Sequence, residues 1–421
     1  MLFETGRFKL FLIAPFKVVK DAAGHHTWHE GLNRVKEYEV LHFGLDDPSN
    51  PEWIKPLFNQ SIKRRFPTVD PLIFFKFLKK IRSSDFNMSC VAIFEGSLFW
   101  AFFMSSASLF HPNKVFVCNL WPSYKYLDLV KSNSLNGKVF RWCLRTFNRV
   151  PNLILTVDTK VLADLISQTS KAEIKVFPVP SSLNFRHETR FESEHKRVLL
   201  NLRGFDESRL MKAIKKSCPN CLFHVSFNKD RILQFNAKFG IINNLEMGSH
   251  HITPENYERY IDTFDHAVFF YQPLPSKPGE FSHYCASGRL LDVLLRRIPV
   301  SLPDKGSEWI NIAQRWGKSS TFNFESDEEV EKALNHPVFT GCDPIEIPPF
   351  TPLGAIRELK ILSTNKWLLR KQGGESSNLF IPLKKLLVLF LFSVSWCIGN
   401  LSNLAYTLHV FTSNRLRRYS P

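Results

Sequence analysis

The stretch Tyr284-Cys-Ala-Ser-Gly-Arg-Leu-Leu-Asp292, which continues to Pro299 and Val300, predicts a small-residue turn, then a helix, then a buried strand. Ser287 and Gly288 stand where the helix begins, and the leucines that follow share one helical face. The free backbone N–H groups at such a helix start suit a phosphate, and Asp292, one turn further on, is placed to accept hydrogen bonds from a ribose. An ordinary strand–loop–helix of an α/β domain has the same pattern, so this segment alone leaves both interpretations open.

Buried strands and helical segments alternate on both sides of this stretch. Apolar runs predict strands at residues 8–14, 39–43, 90–94 and 115–118, and a second strand–helix series runs from Val198 to about Pro349. Strands that alternate with helices favour a parallel, doubly wound sheet. We therefore predict an α/β fold with two Rossmann-like doubly wound parallel-sheet domains.

A charged segment without apolar periodicity, residues 186–196, is the best candidate for the interdomain linker. Prolines at residues 344, 348 and 349 mark the end of the second strand–helix series. The predicted domains are accordingly residues 1–185, residues 186–350, and a last segment, 351–421, that contains a helix and a hydrophobic tail.

The composition is that of a globular chain with an excess of positive charge. The 421 residues carry a formal net charge of +16 and include 39 Phe, an abundance that argues against disorder. Such a charge favours anionic partners; no nucleic-acid module is present and the basic residues are scattered, so an acidic membrane face and nucleotide phosphates explain it at least as well as nucleic acid. The eight cysteines follow no disulfide framework and include one isolated CxxC at Cys218–Cys221, so we predict neither zinc nor an oxidising compartment.

The N-terminal apolar run at residues 8–16 is short and broken by Lys9 and Pro15, so we expect a buried strand there and no signal peptide. The C-terminal tail has an uncharged run from Leu386 to Gly399, flanked by Lys384-Lys385 and by arginines near the end of the chain. Fourteen residues are short for a membrane span, which needs roughly 20. An in-plane anchor, a longer interrupted span and a buried helix all remain open for this tail.

The stretch that ends at Asp292 resembles the donor-binding motif of retaining GT-B glycosyltransferases of the large family-four-like group. Those enzymes carry an acid, seven residues and a second acid, followed by a helix, a turn and Pro-Val. Tyr284 stands at the first acid position and Asp292 at the second, and Ser287-Gly288 fits a Ser-Gly variant of the loop. The resemblance extends at the level of pattern from Asn152 to Leu334, and it implies a last helix, within residues 352–370, that crosses back to the first domain.

The resemblance also implies roles for individual residues. The second acid of the family binds the nucleotide ribose, whereas Tyr284 departs from the acid that contacts the donor sugar. Arg203, at a predicted strand end before Gly204, is the first candidate for a phosphate contact, and relatives usually carry a second cation near Arg209. The candidate site residues are catalytic Arg203, Tyr284 and His25; donor-binding Gly24, Arg203, Arg209 or Lys212, Ser287, Gly288 and Asp292; and, for acceptor or phosphate contact, also His26.

Most relatives of this fold work without a metal. The histidines His25, His26 and His29 are close in sequence, but the sequence places no further ligand that would complete a metal site with them. We therefore predict no metal, and no cofactor besides the nucleotide-sugar co-substrate. The leading hypothesis is a glycosyltransferase of cell-surface polysaccharide synthesis. It would be cytoplasmic, associated through its tail with the inner face of an anionic membrane, and would use a glycan or lipid-linked acceptor.

Two alternatives remain: a catalytically inactive GT-B-like binding protein, and a membrane-associated interaction protein of a polysaccharide assembly complex. A Rossmann oxidoreductase is disfavoured because no G-x-G-x-x-G follows the first strand.

Overall fold

A computed structural model shows that the chain folds into two units, each built on a mainly parallel β-sheet. It describes residues 8–13, 35, 39–43, 71–82, 88–96, 98–120, 129–178, 181, 183–186, 196–203, 207–217, 220–227, 229–240, 242–249, 254–271, 288–305, 307–341, 346–372, 385–386 and 390.

The first unit is built on a six-stranded sheet in which every neighbouring pair is parallel. Its spatial order is β2-β1-β3-β4-β5-β6. The four strands predicted from the apolar runs are confirmed as β1 Phe8–Ile13, β2 Glu39–Phe43, β3 Met88–Gly96 and β4 Val115–Leu120, and β5 Leu153–Val157 and β6 Lys175–Val176 complete the sheet.

Helices of the first unit lie mainly on one face of this sheet. They are α1 Pro71–Arg82, α2 Leu98–Phe110, α3 Leu135–Asn148 and α4 Lys160–Ser170. Ser134 caps α3 by accepting a hydrogen bond from the Gly137 N–H, and Thr159 caps α4 in the same way. The sequence did not predict α2, because its run LFWAFFMSSASLF is apolar on almost every side and lacks the one-faced period of a surface helix.

The second unit has a seven-stranded sheet in the order β13-β12-β11-β10-β7-β8-β9, parallel except for the edge strand β13. Read from β9 to β12, the six parallel strands have the Rossmann order 3-2-1-4-5-6. Alternate side chains of β7 and β10 enter hydrophobic clusters on opposite faces, as in a doubly wound sheet. The strands are β7 Lys196–Arg203, β8 Cys221–Phe227, β9 Leu245–Ser249, β10 His266–Tyr271, β11 Val300–Pro303, β12 Lys318–Phe322 and β13 Thr340–Gly341.

The helices of the second unit cover both faces of its sheet. They are α5 Glu207–Lys215, α6 Lys229–Phe239, α7 Pro254–Ile261, α8 Gly288–Leu295, α9 Ser307–Trp316 and α10 Asp327–Asn335. The helix predicted between the Ser-Gly turn and Pro299 is therefore confirmed as α8. Cys221, the second cysteine of the CxxC, begins β8 and is buried, whereas Cys218 lies outside the described residues.

A final long helix, α11 Pro352–Gln372, returns from the second unit to the first. Its Ala355, Ile356 and Leu359 are buried against β1, β3 and β4 on the face opposite α2 and α3. Two Rossmann-like units in series with a helix that crosses back form the GT-B arrangement that the sequence resemblance implied.

The start of α11 depends on a glycine. The Gly354 N–H donates to Thr351 Oγ1, and a Cβ at Gly354 would stand 2.3 Å from the Pro348 carbonyl oxygen. We expect Gly354→Ala to lower the free energy of unfolding by about 1–2 kcal/mol, because backbone must shift to make room. Urea unfolding measures this, with the exposed Arg357→Ala on the same helix as the control; equal unfolding midpoints for the two variants would contradict it.

Most of the C-terminal tail lies outside the described residues, and so does the predicted hydrophobic run apart from Leu386 and Phe390. Within the part of the chain that the structure describes, no helix combines the length and the apolar character required to cross a bilayer.

Candidate functional site at the carboxyl ends of the second sheet

The strand order of the second sheet reverses between β7 and β10. The chain continues from β7 to β8 and β9 on one side, and from β10 to β11 and β12 on the other. Arg203 and Tyr271, the last residues of the two strands, are paired in register at their carboxyl ends. Open α/β sheets bind ligands in the crevice at such a switch point, so the predicted phosphate-binding Arg203 stands at its edge.

The first turn of α8 lies beside this switch point. Gly288 begins the helix, and the exposed Arg289 donates from Nη1 to Asn201 Oδ1 of β7 over 3.3 Å. Asn201 is buried, and its Nδ2 has no hydrogen-bond partner among the described residues. The sequence argument singled out neither residue, although the position of Arg289 directly after the Ser-Gly pair was a usable signal. The structure therefore brings Gly288 and a cation to the end of β7.

Asp292 has partners that the sequence did not predict. It lies on α8, is only 5% exposed, and accepts hydrogen bonds from Ser181 Oγ at 2.5 Å and from Tyr257 Oη at 2.9 Å. Burial raises the pKa of its carboxyl from 3.8 to about 6, against the lowering effect of the two hydroxyls and of Arg289. The ribose contact stays a prediction, and Asp292 also fastens α8 to α7 and to the segment at Ser181.

The described residues of that segment, 181 and 183–186, lie between the two units in the chain and are held by the second one. Arg296, at the end of α8, is largely buried and donates to the Asn184 carbonyl, to Glu258 and to both carboxylate oxygens of Asp262. The Ser181 N–H donates to the Phe350 carbonyl over 2.8 Å. The two chain crossings between the units therefore run side by side, anchored through α8.

A cleft of about 470 Å³ opens where the two units meet. From the second unit, Glu308 of α9 accepts a hydrogen bond from the Lys160 backbone at the start of α4 in the first unit. Burial raises the pKa of Glu308, and the nearby Asp158 carboxylate raises it further. The other lining residues come from α4 and its N-cap, from β6, α8 and α9, and from both crossings: Thr159, Val161, Asp164, Val176, Pro178, Leu291, Asn311, Ile312, Arg315, Trp316, Pro349 and Phe350.

Arg209, the second cation predicted to contact phosphate, forms its described hydrogen bonds with another helix and not with the switch point. Arg209 of α5 donates from Nε and Nη2 to Asp327 Oδ1 of α10, at 2.8 and 2.6 Å. This pair lowers the pKa of the Asp327 carboxyl. Lys212, one turn later, is exposed. The phosphate contacts predicted for these two residues remain predictions.

Several predicted site residues fall outside the described residues. These are Gly24, His25, His26, His29, Tyr284 and Ser287, as well as the side chain of Arg203. Among the described residues, no cluster of three or more His, Cys, Asp or Glu side chains is arranged to hold a metal ion.

No family model matches the chain, and no curated protein matches its sequence.

Similar solved structures include AviGT4, a glycosyltransferase involved in avilamycin A biosynthesis, at 10% identity and TM-score 0.46, covering 87% of this chain and 98% of that one. HepE from Anabaena, solved with UDP and glucose, has 10% identity and TM-score 0.43 over 97% and 99%. A TarM mutant from S. aureus, solved with Fondaparinux, alpha-GlcNAc-glycerol and UDP, has 13% identity and TM-score 0.40 over 77% of this chain and 59% of TarM. Similarity at this level does not by itself assign a family or an activity to the chain.

Proposed function

We propose that this protein is a glycosyltransferase that moves a sugar from a nucleotide-sugar donor to a glycan or lipid-linked acceptor. The observation that carries the proposal is the switch point of the second sheet, where Arg203 ends β7 and the α8 start brings Gly288 and Arg289 beside it. This is where an α/β sheet of Rossmann order binds a nucleotide.

The chemistry of sugar transfer fits the groups at this edge. A nucleoside diphosphate leaves as the glycosidic bond of the donor breaks, and negative charge builds on its terminal phosphate. Guanidinium groups and the positive end of a helix stabilise that charge, and they do so without a metal ion. Arg203, Arg289 and the N-terminus of α8 would supply this stabilisation here, with Ser287 and Gly288 contributing backbone N–H donors.

The finer assignments rest on the sequence resemblance. They are a retaining, metal-independent mechanism of the family-four-like group, a donor-sugar contact at Tyr284, and acceptor or phosphate contacts from Gly24 and His25. For the setting, we propose cell-surface polysaccharide synthesis at the cytoplasmic side of an anionic membrane, with the hydrophobic tail as an attachment. The tyrosine at the first acid position keeps an inactive nucleotide-binding relative as the second candidate.

Nucleotide binding tests the proposal directly. The purified full chain is heated with UDP, GDP, ADP or CMP, and the unfolding temperature is recorded. We expect one nucleoside diphosphate to raise the unfolding temperature by several degrees at about a hundredfold excess over its dissociation constant. No shift with any of them at millimolar concentration would reject the donor site and leave the interaction-protein alternative.

Turnover separates an enzyme from an inactive relative. Hydrolysis of the matching nucleotide-sugar is followed by release of the nucleoside diphosphate, and NMR of the released sugar, recorded before it mutarotates, gives the anomeric configuration formed in the reaction. Binding without any release, with or without added acceptor glycans, would favour the inactive relative.

A further inference from the structure

Helix α3 of the first unit has apolar residues on two faces, and among the described residues only one of these faces packs against a hydrophobic core. Gly137, Phe140, Leu144 and Phe147 form its buried face. On the opposite side, Leu135, Val139 and Trp142 are 76%, 49% and 61% exposed. Their spacing of i, i+4 and i+7 places them on one stripe, so α3 presents a continuous apolar ridge to the outside.

Positive charge flanks this ridge along one side. Residues 129–157 contain five cations, at 131, 138, 141, 145 and 149, and no Asp or Glu. Lys138, Arg145 and Arg149 are exposed and lie along one side of the stripe. Arg141 is turned inward, where its Nη1 donates to the carbonyls of Val130 and Ser132.

The neighbouring helix repeats the pattern. The sequence of α1 contains four cations and no acid, and Phe75, Lys79 and Arg82 are exposed on it. Phe74 of α1 packs edge-on against Phe103 of α2, with ring centroids 5.3 Å apart, and α2 in turn contacts α3. The exposed sides of α1 and α3 therefore belong to the same helical layer of the first unit.

The beginning of the hydrophobic tail lies against that layer as well. The Lys385 ammonium stands 5.3 Å from the centre of the Phe110 ring at the end of α2. Leu386 and Phe390, which open the uncharged run to residue 399, are exposed. An apolar ridge, two acid-free basic helices and the first described residues of the tail thus belong to one helical layer.

We propose that the α3 ridge, Leu135, Val139 and Trp142 with the flanking cations Lys138 and Arg145, is a docking surface for an anionic lipid bilayer. Trp and Leu side chains lie at the boundary between headgroups and acyl chains, while Lys and Arg bind anionic headgroups. A bilayer would also take up the exposed apolar side chains of Leu386 and Phe390, which follow the Lys385 contact with the same helical layer and which a protein partner docked on α3 alone does not explain. The surface is separate from the nucleotide site, so it does not depend on the proposed activity.

Vesicle binding by the full chain tests the surface. Partition into phosphatidylglycerol vesicles is compared with partition into phosphatidylcholine vesicles by co-sedimentation. We expect the double variant Leu135→Ser, Trp142→Ser to lose about tenfold or more in partition to the anionic vesicles, because both side chains would stay in water. The pair Lys138→Gln, Arg145→Gln should lose about fivefold for each charge removed, and this loss should shrink at high salt.

The matched control is Leu233→Ser on α6 of the second unit, where Leu233 is 69% exposed. It should bind vesicles as the unchanged chain does. Because the tail can insert by itself, a second readout is specific to the ridge: acyl chains that carry bromine should quench part of the tryptophan fluorescence, and Trp142→Phe should remove that part.

Unchanged partition of the double variant together with equal quenching of the unchanged chain and Trp142→Phe would overturn the proposal. The proposal would also be overturned if the double variant bound vesicles normally but sedimented differently from the unchanged chain in their absence. That result would assign the ridge to contact between copies of the chain.

Discussion

Replacing Asp292 by asparagine is expected to stabilise the protein at pH 8 by up to about 3 kcal/mol and to have little effect at pH 4. The carboxyl is buried, and its pKa is raised from 3.8 to about 6. Asparagine is the neutral isostere, and its amide can still accept from one hydroxyl and donate to the other. The free energy of unfolding, measured in urea from pH 4 to pH 8, checks the expectation.

The sign follows from proton linkage. Below pH 3.8 the carboxyl is protonated in both the folded and the unfolded chain. Between about pH 4 and pH 6 the folded chain still holds the proton and the unfolded chain has released it, so stability falls as pH rises. Above pH 6 the folded chain carries an ionised, buried carboxylate. The difference between variant and unchanged protein removes the contributions of other groups, such as His266, whose burial lowers its pKa and acts in the opposite direction.

Tyr257→Phe is the matched control, because it removes one of the two hydroxyls that stabilise the ionised Asp292. We expect it to destabilise the chain by about 1–3 kcal/mol at pH 8 and by less at pH 4. An Asp292→Asn variant that is less stable than the unchanged protein at pH 8 would show that the hydrogen bonds outweigh the cost of burial.

The same variant examines the predicted ribose contact. A buried carboxylate that lowers stability at neutral pH is the kind of residue retained at a functional site. If Asp292 binds ribose, the asparagine variant will be more stable and yet will bind the nucleoside diphosphate more weakly. If Asp292 interacts only with Ser181 and Tyr257, the affinity for the nucleoside diphosphate will not change.

Much of the fold could be predicted because its signals are local. The strands near residues 8, 39, 90, 115 and 198 are short apolar runs, and the punctuation by Pro299 and by the prolines near residue 348 marked the element ends. The crossing helix α11 followed from the resemblance and is confirmed. Helix α2 was missed because a helix buried on nearly every side lacks the amphipathic period on which such a prediction depends.

The candidate site was harder to predict because it depends on contacts between distant segments. Ser181 and Tyr257 lie 111 and 35 residues from Asp292, and no spacing rule links them. The bond between Arg289 and Asn201 joins residues 88 apart in the same way. The sequence predicted the turn that begins α8 and the strand end at Arg203. That these two segments are neighbours follows from the strand order of the sheet, which the structure shows.

Loss of either arginine at the switch point, in the variants Arg203→Met and Arg289→Met, is expected to weaken binding of the nucleoside diphosphate by about 10- to 100-fold. Each would remove a charge-assisted contact to phosphate at the carboxyl ends of β7 and β10. Methionine keeps the aliphatic length of the side chain and removes its charge. Isothermal titration with the nucleotide that stabilises the unchanged chain measures the effect, and the affinity should fall as salt rises.

Arg259→Met on α7 is the control, since Arg259 is exposed on the same unit and no described contact joins it to the switch point. It should bind as the unchanged protein does. Arg289→Lys separates a phosphate contact from a structural one: lysine keeps the charge, so it should recover part of the affinity, whereas the bond to Asn201 depends on the reach of the guanidinium. Equal affinities for all four variants would remove the switch point from nucleotide binding, and with it the observation on which the proposed glycosyl transfer depends.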